Sequence, residues 1–211
     1  MNTCTPRIES AIREHLAPVL RADGFAGSGR TFRRVAGQWI HVVNIQVWRY
    51  GGQFAVNLAV QPMAIPQVCG NTPDSKKITE ELCEFRRRMS ESQEREDRWW
   101  QHDSTDASMA SAVQDATATY TQVGRHLLND ATAKDADLNT VTPSEFAKGN
   151  FNFLGFGSTE CRMAFALARL RRAQGQLDDS RAFAAHAFQS AGSSAILIKA
   201  EIQTFLKHGD A

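Results

Sequence analysis

Trp39-Ile40-His41-Val42-Val43-Asn44-Ile45-Gln46-Val47-Trp48-Arg49-Tyr50-Gly51-Gly52-Gln53-Phe54-Ala55-Val56-Asn57-Leu58-Ala59-Val60-Gln61 is the stretch that decides the fold. Apolar and polar residues alternate with period two on both sides of Gly51-Gly52, the mark of two antiparallel strands, Trp39–Arg49 and Gln53–Gln61. With Gly51-Gly52 as a two-residue hairpin loop, Tyr50 pairs with Gln53. Val47 then faces Val56, Ile45 faces Leu58 and Val43 faces Val60. A second separator, Ala36-Gly37, brings in a third strand, Arg30–Val35, and sets Phe32 against His41. One face of this meander carries Phe32, Val43, Ile45, Val47, Phe54, Val56, Leu58 and Val60. The other carries Thr31, Arg33, Asn44, Gln46, Trp48, Asn57 and Gln61, with Ala55 and Ala59 between them. A one-residue slip would turn every side chain to the wrong face. The second face is polar yet nearly uncharged, where a plainly solvated face would carry Lys and Glu. His41 alternates with the apolar face and so reads as a buried, hydrogen-bonded histidine.

Upstream, Ile8, Ala11, Ile12, His15, Leu16, Val19 and Leu20 recur at three-to-four spacing. They predict a helix that packs on the apolar face, kinked or broken at Pro18 and stopped by Gly24. Gly24-Phe25-Ala26-Gly27-Ser28-Gly29-Arg30-Thr31 has the spacing of a phosphate loop with Arg in place of Lys. It joins a helix to a strand, whereas a phosphate loop joins a strand to a helix whose first amides cradle the phosphate. It therefore reads as a flexible glycine turn.

Downstream, Pro62 to Pro66 ends the Gln53–Gln61 strand, and residues 74–103 mix both signs of charge. Ile78, Leu82, Phe85 and Met89 predict a thin helical stripe there, with Arg86-Arg87-Arg88 on a solvated, salt-bridged helix. A mobile polar loop should follow, and Trp99-Trp100 should anchor the chain back on the core. The remainder reads as helical: Ala107–Leu128, a turn opening at Pro143, and Cys161–Gly175, Asp178–Ala191 and Ser194–His208, with an aromatic–glycine loop at Phe151–Gly157. Residues 164–189 resemble one tetratricopeptide-type hairpin, but with no second copy two closely packed alanine-rich helices are the better reading. The expected class is α+β: an N-terminal helix on an antiparallel meander of three or more strands, followed by a C-terminal helical region. Residues 1–105 are expected to form the α+β domain and 106–211 a helical extension packed on it.

Lys and Arg number 24 against 23 Asp and Glu, a net charge of +1. That balance lacks the field on which nonspecific nucleic-acid or anionic-membrane binding depends. No run of about 18 apolar residues is present, and no signal-peptide pattern opens the chain. A cytoplasmic location with reduced thiols is expected. Cys4, Cys69, Cys83 and Cys161 lack metal-ligand spacing, and His102, Asp103 and Asp106 lack a further ligand. No Gly-x-Ser-x-Gly elbow or catalytic carboxylate pair stands out, so neither metal, cofactor nor catalytic residue is expected.

Taken together, Gly24-Phe25, Gly29-Arg30-Thr31-Phe32-x-Arg34, Val43-Asn44-Ile45-Gln46 and Phe54-x-Val56-Asn57-Leu58 resemble a family of small bacterial proteins. That family is known only as a domain of unknown function, numbered in the four-thousand series. Cys83, Arg86–Arg88 and Trp99-Trp100 resemble its second half, and the resemblance covers about residues 8–100. It implies an α+β domain with an antiparallel sheet and brings no activity, cofactor or catalytic residue.

The expected function is a non-enzymatic cytosolic protein-binding module, concretely an immunity-type protein that neutralises a cognate bacterial toxin. The candidate binding residues are Arg33, Asn44, Gln46, Trp48, Asn57, Gln61, Trp99 and Trp100. The alternative is a small ligand-binding protein or enzyme that uses the amide and arginine face of the sheet. A third reading is a helical adaptor whose C-terminal hairpin binds a peptide.

Overall fold

A computed structural model describes residues 7–68, 70–92 and 97–207. Cys4, Cys69 and part of the polar loop expected within 74–103 lie outside them. The chain folds as expected, with an N-terminal helix, an antiparallel sheet and a C-terminal helical region. Among the described residues the sheet has six strands: β1 Ala26–Ser28, β2 Thr31–Ala36, β3 Trp39–Val47, β4 Gln53–Pro62, β5 Phe85–Arg88 and β6 Trp100–Gln101. The first five pair in chain order, and β6 pairs with β4 alongside Gln53 and Phe54.

The faces are those the alternation predicts; the register is not. Val43 pairs with Leu58, Ile45 with Val56 and Val47 with Phe54. Phe32 pairs with Val43 rather than His41. Each hairpin is offset by two residues from the expected pairing. The second loop is Arg49-Tyr50-Gly51-Gly52: Trp48 N–H donates to the Gln53 carbonyl at 2.9 Å, and Gly51 N–H to the Trp48 carbonyl at 2.9 Å. Gly51 and Gly52 sit at φ +75° and +78°, so this glycine pair closes a longer loop than the two-residue one it suggests. A slip of two leaves every side chain on its original face, and Phe32, Val43, Ile45, Phe54, Val56, Leu58 and Val60 all enter the main core.

The first helix, α1, runs through residues 8–22 without breaking at Pro18. Ile12–Leu16 is a π-turn in which Ala17 N–H reaches back five residues to the Ile12 carbonyl. The wider turn absorbs the missing Pro18 N–H, and the helix continues to Ala22. The glycine turn after it contains β1, and a Cβ on Gly27 would stand 2.3 Å from the Thr31 carbonyl oxygen.

Residues 85–88 correct the expected helix. They form β5, because β4 otherwise has an unpaired edge beyond Asn57. Phe85 and Arg87 are buried while Arg86 and Arg88 face outward. The three-to-four stripe divides between the two sides of the sheet: Phe85 and Met89 join the main core, whereas Ile78 joins Ile40, Val42, Ala59 and Cys83 in a small outer cluster. That cluster makes one end of the supposedly polar face apolar and covered.

The helical region comprises α2 (residues 106–131, with a π-turn at Tyr120–Gly124), α3 Asp137–Thr140, α4 Pro143–Ala147, α5 Glu160–Ala173, α6 Leu177–Ser190 and α7 Ile196–Lys207. Tyr120 on α2 donates to the Asp23 carboxylate at 2.9 Å, and Arg125 reaches the same oxygen at 2.7 Å, pinning α2 to the end of α1. One core cluster runs from Ile8 through the sheet to Ile202. Among the described residues no helix is long and apolar enough to cross a membrane.

Candidate functional site

The outer face is built from rows of residues paired across strands. Thr31, Asn44, Asn57 and Arg88 lie side by side on β2, β3, β4 and β5. Asn44 Nδ2 donates to Thr31 Oγ1 at 3.0 Å. Asn57 Nδ2 donates to Gln46 Oε1 at 3.1 Å and to Glu80 Oε1 at 3.2 Å. Arg88 Nε meets Asp97 at 3.1 Å, and its guanidinium lies 4.4 Å from the Trp99 ring centroid. Trp99 packs edge-on against Trp48 at 5.3 Å, and Trp48 against Tyr50 at 5.9 Å. Arg49 covers Tyr50 at 4.5 Å. An aromatic ridge thus runs from the β3–β4 loop to β5, with Tyr50 72% and Trp48 39% exposed.

The candidate residues separate. Asn44, Gln46, Trp48, Asn57 and Trp99 share one surface. Arg33 is held by the carbonyls of Ile78 and Lys77 under the 74–82 segment. Gln61 is wholly buried; it donates to the Pro62 and Ile65 carbonyls and accepts from the Glu84 amide at 2.9 Å. Trp100 lies on the opposite face, stacked on Phe54 at 5.7 Å. The tryptophan doublet divides because strand neighbours point to opposite sides of a sheet.

Beside the ridge is an open cleft of about 200 Å³, walled by Gln46, Asn57, Glu80, Arg86, Arg88 and Ser158. Ser158 arrives from the aromatic–glycine loop. Phe153 of that loop packs on Phe85 at 6.0 Å, and Gly157 N–H donates to the Arg86 carbonyl at 3.0 Å. Glu80, Arg86, Arg88 and Ser158 are absent from the candidates read in the sequence. The alternation of Phe85 and Arg87 with Arg86 and Arg88 was the signal for the two arginines; nothing local points to Ser158.

Burial pushes the Glu80 carboxyl up to about 7; the neighbouring Glu81 adds to the rise and Arg86 opposes it. A carboxyl raised from 4.5 costs the fold nothing below pH 4.5, then costs progressively more as pH rises through 7. Glu80→Gln, which resembles the neutral acid, should therefore gain stability on wild type between pH 5 and pH 8. With allowance for solvent screening at this half-exposed side chain, the gain is about 1–2 kcal/mol. Urea midpoints at the two pH values measure it; an offset that does not change with pH would contradict the assignment.

A larger cavity of about 590 Å³ lies between the β2–β3 loop and α5, bordered by Gln38, Trp39, Thr132, Lys134, Leu170 and Gln174. Its border carries amides, the Thr132 hydroxyl and the Lys134 amine. Nearby His41 is fully buried: Nδ1 accepts from Arg34 Nε at 3.2 Å, and Nε2 meets Thr132 Oγ1 at 2.9 Å. Burial, and then Arg34, lower its pKa to about 3. It is a neutral structural residue. Among the described residues, no group of three or more His, Cys, Asp or Glu could hold a metal ion.

A family model described as "Domain of unknown function (DUF4304)" matches residues 16–125, just over half of the chain. The match runs from within α1 through all six strands into α2. No curated protein and no solved structure matches the chain.

Proposed function

The chain belongs to the DUF4304 domain-of-unknown-function family, and from that premise we propose that it is a non-enzymatic protein-binding module. Its concrete form is an immunity-type protein of the bacterial cytoplasm that neutralises a cognate toxin, with no nucleic acid among its partners. The observation that supports this reading is the ridge of Tyr50, Trp48 and Trp99 bracketed by Arg49 and Arg88. Tyr, Trp and Arg supply most of the binding energy at protein interfaces, and they do so best when held rigid before binding. Here two strands and a short loop hold them on an open surface. The mixed charge around them, Arg49 and Arg88 beside Asp97 and Glu80, favours a partner of complementary pattern over any polyanion.

Capture from the source cell followed by mass spectrometry tests this, with an Arg49→Ala/Tyr50→Ala double variant in parallel. Both side chains are exposed, so the variant should fold. The reading predicts capture of a toxin encoded beside this chain, rescue of its toxicity on co-expression, and affinity weakened about 30-fold or more in the variant. Recovery of no partner, or of one held equally by the double variant, contradicts it.

A second reading, a small-ligand site or enzyme on the same face, is favoured by one observation. Glu80, whose carboxyl burial pushes up to about 7, stands beside Arg86 in an open cleft.

A further inference from the structure

The cleft beside the ridge has donors without acceptors. Arg88 and Ser158 both line it, and Arg88 Nη1 and Ser158 Oγ are shielded from solvent with no hydrogen bond among the described residues. Such groups are expensive to leave unpaired, above all the charged one. Three acceptors of the cleft are already engaged. Gln46 Oε1 takes Asn57 at 3.1 Å and Arg88 Nη2 at 3.5 Å, Glu80 Oε1 takes Asn57, and Asp97 takes Arg88 Nε. Arg86, paired with Ala59 on the same outer face, adds a second guanidinium to the wall. Ser158 is not a loose loop residue, since the reciprocal hydrogen bonds between Arg86 and Gly157 fix it to the strand that carries both arginines.

We propose that this cleft binds a small oxyanion, a carboxylate or a phosphoryl group, with Arg88 Nη1 and Ser158 Oγ–H as its donors and Arg86 as its second positive charge. Guanidinium with a hydroxyl is a common pairing for such groups. The volume, about 200 Å³, falls below that of a drug-sized pocket at roughly 300 Å³ or more, which suits a single acid group. Glu80, held largely neutral at slightly acid pH, adds little repulsion. The inference rests on the second reading above, that the cleft is a ligand site, and does not require the protein partner.

Amide spectra of the full ¹⁵N-labelled chain, titrated at pH 6.5 and constant ionic strength, test it. The probes are sodium phosphate, sodium acetate and the neutral acetamide. At least one oxyanion should give saturable shifts at Gly157, Ser158 and the Asn57 side chain, and the tighter of the two identifies the group the cleft prefers. Ser158→Ala, too mild a change to unfold the chain, should weaken binding about fivefold, and Arg88→Gln should weaken it more. Acetamide binding as well as the anions would overturn the oxyanion assignment and leave the cleft a ligand site. No saturable shift with any probe would overturn both. Binding unchanged in Ser158→Ala and Arg88→Gln would place the anion elsewhere and overturn the proposal.

Discussion

Arg171→Met will lower the stability of this chain by about 3 kcal/mol. Arg171 is a wholly buried side chain on α5, only 1% exposed, with no carboxylate bonded to it among the described residues. Its guanidinium instead serves the backbone of the connection between α3 and α4. Nη2 donates to the Val141 carbonyl at 3.0 Å, and Nη1 to Gln174 Oε1 at 3.2 Å and the Leu138 carbonyl at 3.5 Å. Burial lowers its pKa, which measures what the fold gives up to keep a charge there. Methionine would recover some of that cost and fill part of the volume. It would also leave two carbonyls at the end of α3 buried without donors, at about 1–3 kcal/mol each. Urea unfolding should show a lower midpoint at unchanged slope. A loss below about 1 kcal/mol would mean that water or a backbone shift supplies those carbonyls instead.

Mild acid will expose the second large effect. His41 titrates near 6.5 when unfolded and is lowered to about 3 in the fold. The unfolded chain therefore binds the proton first. Stability is fully present above pH 6.5 and is lost as pH falls toward 3. By pH 4.5 the loss is about 2–3 kcal/mol. Glu80 and Glu84, whose pKa values burial raises, shift stability the opposite way over part of this range, so the variant comparison carries the test. His41→Gln keeps an acceptor for Arg34 and cannot titrate. Whatever its stability at pH 7, its loss between pH 6.5 and 4.5 should be smaller than that of wild type by about 2–3 kcal/mol. Parallel stability profiles for the two proteins would contradict the buried neutral histidine.

Both effects lie in the scaffold, and the scaffold was the more legible part of the sequence. Period-two alternation in residues 39–61 fixed which side chains face the core, because that inference survives a slip of two residues. It could not fix register, since Gly51 and Gly52 permit more than one loop length. Strand β5 was hidden by the helical spacing of Ile78, Leu82, Phe85 and Met89. The unpaired edge of β4 that recruits it is a tertiary demand, absent from any local window. The same holds for the site. Asn44, Gln46 and Asn57 could be placed together from alternation alone. Glu80, Arg88 and Ser158 reach them only through the β4–β5 pairing and the Arg86–Gly157 bridge. Gln61 and Arg33 have the right side chains on the right face, but under a covering segment that no periodicity announces.

Hydrogen exchange of the full chain, alone and with its captured partner, tests most directly whether the outer sheet face is the working surface. The account predicts new protection at residues 46–52, 86–88 and 97–99, with α6 and α7 unchanged. Protection confined to residues 177–207, with the aromatic ridge exchanging as in the free protein, would contradict it and make the helical hairpin the binding element.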